Sequence, residues 1–440
     1  MSVSPHDLSK SQARGLGNSF AFSLVTCLLP QSAVDEWIMR SRALQEFDME
    51  FEWFRPMLDS MAYKLLSEAV WGLQSRLFVG ASICMCDIAT DIYMVIHFIN
   101  KDGFSSLPAW LTAGFIFASM MIQLAIVHLN NRENQWKEKG IVLLCLKPIV
   151  DAWRVVKSGG SDVGEDNVFS PVQEAVLCKC IEMLFESIPA SVVQAMAYIE
   201  DDNDSDSDKV MPLVSIVISC LSTGYILTSV SYDLDIEPKM RNTYECRGFV
   251  PNGEKGRLIS FVCMLTLSTC QCIQSSFGYA ILFHNSVYTR LAFLFVNVIL
   301  YLIVKVAYDD HHTCFRLGNK FVTGAFTFIY RVGGKVLNDF TFAPHFVDPI
   351  HLGALFIPSM VVLHISFWYL FRTSNVEAVQ EGTLVYYSFW VVSIMIVACF
   401  VLFLWKGCKR SKVRVGSSEG KKARGKEGWS KATAAYHTPV

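Results

Sequence analysis

From about position 76 onward, apolar runs of membrane-spanning length alternate with short charged stretches. A helix needs ~20 apolar residues to cross a bilayer core. Runs of that kind extend from Arg76 to Ile99, Pro108 to Leu129, Pro171 to Ile199, Val210 to Tyr232, Leu258 to Phe283, Val287 to Tyr308, Ile350 to Phe371 and Leu384 to Trp405. Before them the pattern is different. Trp37, Leu44, Phe47, Phe51, Phe54, Leu58 and Met61 recur at helical spacing with charges between, so Asp35 to Leu73 is predicted as amphipathic helix on the membrane or on the bundle. Ile141 to Val156 is apolar but interrupted by Lys147, Pro148, Asp151 and Arg154. It is too short and too charged to cross, and predicts an interfacial helix. His311 to Phe342 mixes apolar and basic residues around Gly333 and Gly334, a pattern for an interfacial or partly re-entrant segment. The predicted architecture is all-α: a polytopic membrane helical bundle of about eight spans, with broken or half-inserted helices. Residues 1–75 form a cytosolic amphipathic N-terminal region, 76–405 the transmembrane bundle, and 406–440 a basic, disordered cytosolic tail.

Charge placement gives that count a direction. Lys137, Lys139, Lys147 and Arg154 fall in one loop, Lys239, Arg241, Arg247 and Lys255 in a second, and Arg316, Lys320, Arg331 and Lys335 in a third; the tail from Lys406 is basic as well. The alternate loops hold only Lys101, Lys209 and Arg372. Eight spans put every basic loop and both termini on one side, which the positive-inside pattern makes cytosolic. The acidic turn Glu200 to Lys209 then faces the opposite side. It lacks the spacing and glycine of a calcium loop and reads as solvated. No cleavable signal sequence is expected at the polar N-terminus. The whole, 440 residues of which 52% are hydrophobic and 18% charged, fits a multi-pass integral membrane protein of the plasma membrane rather than of internal membranes.

Within this apolar chain the chemistry lies in embedded polar residues. Glu182 and Glu186 stand four apart inside CIEMLFESIPASVVQ, Cys180 to Gln194, and Asp87 and Asp91 repeat the spacing in the first span. Residues i and i+4 share a helical face, so each pair stacks two carboxylates on one stripe. Lys179 falls beside Glu182, and Pro189 is expected to kink or break the helix. Each intramembrane acid costs ~2.5–3.5 kcal/mol on insertion scales, so the four demand pairing, protonation or hydration. Lys179 and Arg290 are the candidate counter-ions, and Asp87, Asp91, Lys179, Glu182, Glu186, Pro189, Gln194 and Arg290 form the candidate polar core or transport path. A buried, internally bonded packing element is the plainer reading of the same residues. The sequence has no GxxxxGK[ST] and no HExxH. The 14 cysteines lack zinc spacing and read as reduced packing residues. No metal, cofactor or nucleic acid is expected.

Three of these stretches carry a resemblance. DIATDIYMVIHF in the first span resembles the first helix of the XK-related proteins, and CIEMLFESIPASVVQ resembles that family's E-x-x-x-E-[TS]-x-P-Q-x-x-x-Q segment at Glu182, Glu186, Ser187, Pro189 and Gln194. Ala190 departs from it, standing where the family usually has Gln. LTSVSYDL, Leu227 to Leu234, is similar to the Ser-Tyr end of the family's next helix. The resemblance covers roughly Arg76 to Arg290, with weaker agreement to Trp405. It implies an all-helical bundle with internal repeats and half-inserted helices. Several XK-related proteins scramble phospholipids between leaflets without ATP, some after caspase cleavage of a cytosolic tail, and others act as partners of membrane proteins. Lys406 to Val440 contains no aspartate, which argues against a caspase cut there. The expected function is therefore ATP-independent phospholipid scrambling, not enzymatic catalysis. Membrane phospholipids are the expected partners, beside a partner membrane protein or homo-oligomer. A channel or transporter for an ion or small solute, and a non-catalytic membrane subunit, remain the alternatives.

Overall fold

The computed structural model describes residues 9–27, 30–68, 73–130, 135–158, 169–200, 206–236 and 254–284, with a few single positions such as Val250 and a short piece at 391–396. Among the described residues the regular structure is helical throughout. The expected spans from Val287 onward, Arg290 and the basic tail lie outside them, apart from those few positions.

The hairpin that opens the membrane region is α5 (Leu73–Asp102) and α6 (Leu107–Leu129). A short 3-10 turn, Gly103–Ser105, joins them, and Gly103 takes φ +72° there, a left-handed conformation that costs glycine little. Pro108 sits in the first turn of α6, where its missing N–H is no loss. After α7 (Gln135–Leu143) and α8 (Lys147–Ser158), a capping box between Ser170 and Gln173 starts α9 (Pro171–Glu182). That helix passes through a π turn, Met183–Ser187, into α10 (Ile188–Glu200). Two long helices follow, α11 (Asp206–Ile236) and α12 (Glu254–His284). Among the described residues, four stretches are long and apolar enough to cross a membrane: Arg76–Lys101, Leu107–Leu129, Val210–Asp233 and Gly256–His284.

Pro189 was expected to kink or break its helix; the chain remains helical. The ring of a proline clashes with the carbonyl of residue i−4 and donates no hydrogen bond to it, and here that residue is Phe185. The helix widens one turn ahead, and the Ile188 N–H reaches back five residues to the Met183 carbonyl. A π turn of this kind absorbs the proline without a chain break.

The central core is built from Cys84 of α5, Met183 and Ile188 around the π turn, Ile216, Cys220 and Leu227 of α11, and Cys272 and Ile281 of α12. Close helix approach needs glycine at two points. A Cβ on Gly80 would lie 2.7 Å from the Tyr225 ring, and one on Gly224 would lie 2.9 Å from the backbone nitrogen of Thr269.

The N-terminal region folds as α1 (Lys10–Thr26), α2 (Pro30–Arg40), α3 (Arg42–Glu50) and α4 (Phe54–Glu68). The single amphipathic helix expected over Asp35 to Leu73 is thus broken twice, at Ser41 and at Phe51–Trp53, where Ser41 and Phe51 take extended conformations. The breaks let Trp37, Phe54, Leu58 and Ala62 close on one another and on Tyr232, Ile236 and Val250 beside the bundle. Trp37 Nε1 donates to the Leu16 carbonyl at 2.9 Å and ties α2 to α1.

Candidate functional site: a polar ladder through the bundle

Both acid pairs face inward. Asp87, Asp91, Glu182 and Glu186 are all buried, none more than 4% exposed. Asp87 accepts from Ser219 Oγ at 2.5 Å and from Ser187 Oγ at 2.7 Å, and Asp91 accepts from Gln194 Nε2 at 2.7 Å. These donors come from α11, the π turn and α10, so the two carboxylates on α5 collect neutral donors from three other segments of helix. Charge couples the set: Asp87 acts on Glu182, and Glu182, Asp91 and Asp87 all act on Glu186. One oxygen each of Asp91, Glu182 and Gln194 is buried without a hydrogen-bond donor, and leaving buried polar atoms in that state is costly.

The π turn sets this geometry. It contains both Glu186 and Ser187, so the widened turn holds one of the acids and the hydroxyl that bonds Asp87. Downstream, Ser191 Oγ lies 2.8 Å from Ser276 Oγ of α12. Lys179 lies one turn before Glu182 and its charge reaches that carboxylate. Its side chain lines an apolar cleft with Leu77, Val155, Val176 and Tyr225, beside Asp233, which pairs with Arg76 at 3.0 Å.

A second polar centre escaped the sequence reading. The predicted interfacial segment Ile141–Val156 is two helices, parted at Cys145 with φ +55°, and its charges do not face solvent. Lys147 is buried and donates to Glu174 Oε1 at 2.5 Å and to Asp151 Oδ1 at 2.6 Å. Asn130 Nδ2 donates to the other Glu174 oxygen at 2.6 Å, while its own Oδ1 takes the Phe169 N–H at 2.9 Å. Arg154 extends the network to Asp151 at 3.3 Å and to Glu138. The i, i+4 spacing of Lys147 and Asp151 was the available signal. The serines at 215, 219 and 222, on one face of the fourth span, were the signal for the donor to Asp87.

Together these groups run along one helix. Over the twenty residue steps from Glu174 to Gln194, α9, the π turn and α10 carry Glu174, Lys179, Glu182, Glu186, Ser191 and Gln194. At 1.5 Å per residue that is ~30 Å, about the thickness of a bilayer's hydrocarbon core.

Four apolar helices of spanning length around a buried polar ladder define an all-helical integral membrane protein. The model of a family described as XK-related protein matches residues 76–250, and over that stretch the chain is similar to that family. The match takes in both acid pairs, Pro189 and the LTSVSYDL run. No curated protein and no solved structure matches the chain.

Proposed function

We propose that this protein lets phospholipid headgroups pass between leaflets without ATP, along the polar side of α9 and α10. The observation that carries the reading is the ladder from Glu174 to Gln194, which extends over a bilayer's thickness and mixes both signs of charge. A zwitterionic headgroup needs acceptors for its cation and donors for its phosphate. Asp87, Asp91, Glu182 and Glu186 offer the first; Lys179, Gln194 and the serines offer the second. The unfilled oxygens of Asp91 and Glu182 are acceptors for a passing ammonium or for water. The XK-related match over 76–250 supports the same reading. On this reading the protein resides in the plasma membrane with both termini cytosolic.

The burial of all four acids away from lipid favours a second reading, conduction of a cation or proton, because a path closed to acyl chains suits a small ion better than a lipid. Purified protein in liposomes separates them. Scrambling predicts loss of protected fluorescent lipid to an external quencher, with an initial rate that falls ~10-fold or more, ~1.4 kcal/mol on the barrier, in Glu182→Gln/Glu186→Gln and in Asp87→Asn/Asp91→Asn. Ion flux with no lipid exchange supports conduction instead. Neither activity, in protein that is monodisperse and folded, leaves a non-catalytic membrane subunit.

A further inference from the structure

We infer that α4 is an in-plane membrane anchor, its outward stripe seated in the lipid of the leaflet that α5 enters. The helix has two apolar stripes where a cap helix needs one. Phe54, Leu58 and Ala62 are buried against α2 and the rest of the N-terminal core. Trp53, Met57, Met61 and Leu65 recur every fourth residue on another side and remain exposed, 40% to 56% of each. Met49, on α3, is more exposed still. Contiguous exposed apolar surface of this kind marks an interaction face.

Two placements identify lipid as the occupant. The N-terminal core closes on Tyr232 and is packed by Phe261, and these residues lie inside the apolar stretches Val210–Asp233 and Gly256–His284. The α1–α4 unit therefore meets the spanning helices at the level where their hydrocarbon-facing surface begins; on α12, Leu258, Ile259 and Val262 are exposed at that level. The tether is also short. Four residues separate Glu68 from Leu73, a reach of ~18 Å at most, and α5 shows exposed Val79 three residues into its apolar stretch. The stripe's chemistry suits that position. Trp53 is an amphipathic ring of the kind that gathers at a membrane–water boundary, and Lys64 lies on the same side with a long stem that can carry its ammonium to water. This holds whether or not the protein transports lipid.

The test is photocrosslinking in the full-length protein. Met57, Met61 and, as a lipid-facing reference on α5, Ile96 are each replaced by p-benzoylphenylalanine, with Glu46 on α3 as the exposed polar control. These are surface positions, and a melting temperature matching the parent protein confirms each fold. The proteins are reconstituted in phosphatidylcholine vesicles carrying an alkyne on one acyl chain, irradiated, and assayed for lipid attached to protein. Adducts at Met57 and Met61 within about threefold of those at Ile96, with little at Glu46, support the anchor. Met57 and Met61 yields no higher than Glu46 overturn it, and so do crosslinks from these positions to a second copy of the chain or to a co-purifying protein.

Discussion

The two polar centres on α9 and α10 solve the burial of charge in different ways. Around Glu174 the carboxylate meets Lys147 directly, with Asn130 on its second oxygen, and Asp151 and Arg154 complete a network of both signs. Around Asp87 and Asp91 the donors are two hydroxyls and an amide. An ion pair broken on one side leaves a buried charge, whereas a hydroxyl can turn away and offer its lone pair instead. The first centre holds its carboxylates in ion pairs; the second can exchange its neutral donors at low cost. A third centre, where Glu36 meets Arg40 and Arg257 between the N-terminal unit and α12, belongs with the first.

The contrast is sharpest at Lys147. Lys147→Met should destabilise the protein by ~3–5 kcal/mol, because Glu174 and Asp151 lose a buried cation; thermal unfolding in detergent reads this, and adding Glu174→Gln should restore part of the loss. A Lys147→Met protein that melts with the wild type would erase the distinction between the centres. The next effect is at Glu36. Glu36→Gln should cost ~1.5–3 kcal/mol, the range for hydrogen bonds to charged groups, and should speed proteolysis within α1–α4 before the bundle is cut.

Glu36 also gives a pH dependence. Burial by itself would raise its carboxyl, but Arg257 and then Arg40 outweigh burial and hold it below its ordinary 4.5. Its contribution is therefore complete above pH 4.5 and is lost as pH falls through the lower value of the folded state. The N-terminal unit should loosen only under that acid condition, and Glu36→Gln should flatten the dependence. Smaller again is Asp87→Asn, at ~1–2 kcal/mol, since an amide can accept from one serine and donate to the other. A melting loss as large as that of Lys147→Met would mean that Asp87 is a structural ion like Glu174. Smallest is Ser219→Ala, at ~1 kcal/mol, with Ser187 still bonded to Asp87.

Local periodicity made the acids legible and left their partners out of reach. The i, i+4 spacing put Asp87 with Asp91 and Glu182 with Glu186 on shared stripes, and the cost of burial said that they must turn inward. Ser187 and Ser219, however, lie 100 and 132 residues from Asp87 in sequence, and helical spacing carries no information on which faces meet across the bundle. Charge misled at Ile141–Val156, where Lys147 and Asp151 looked solvated because Glu174, 27 residues on, was not seen to neutralise them. In the N-terminal region the apolar spacing continues through Ser41 and Phe51; Pro56, in the first turn of α4, was the local mark of the second break, and tertiary closure around Trp37 decides the first.

The widened turn at Met183–Ser187 also sets phase. A straight α-helix fixes the azimuth of every residue once one is fixed, ~100° per step. The π turn holds more residues than an α turn, so it uncouples the bearing of α9 from that of α10. Glu174 can point where Lys147 requires, while Ser191 and Gln194 independently meet Ser276 and Asp91. One helix thereby serves two sets of neighbours whose directions no single pitch would reconcile, and Glu186 and Ser187, in the turn itself, stand at the joint between them.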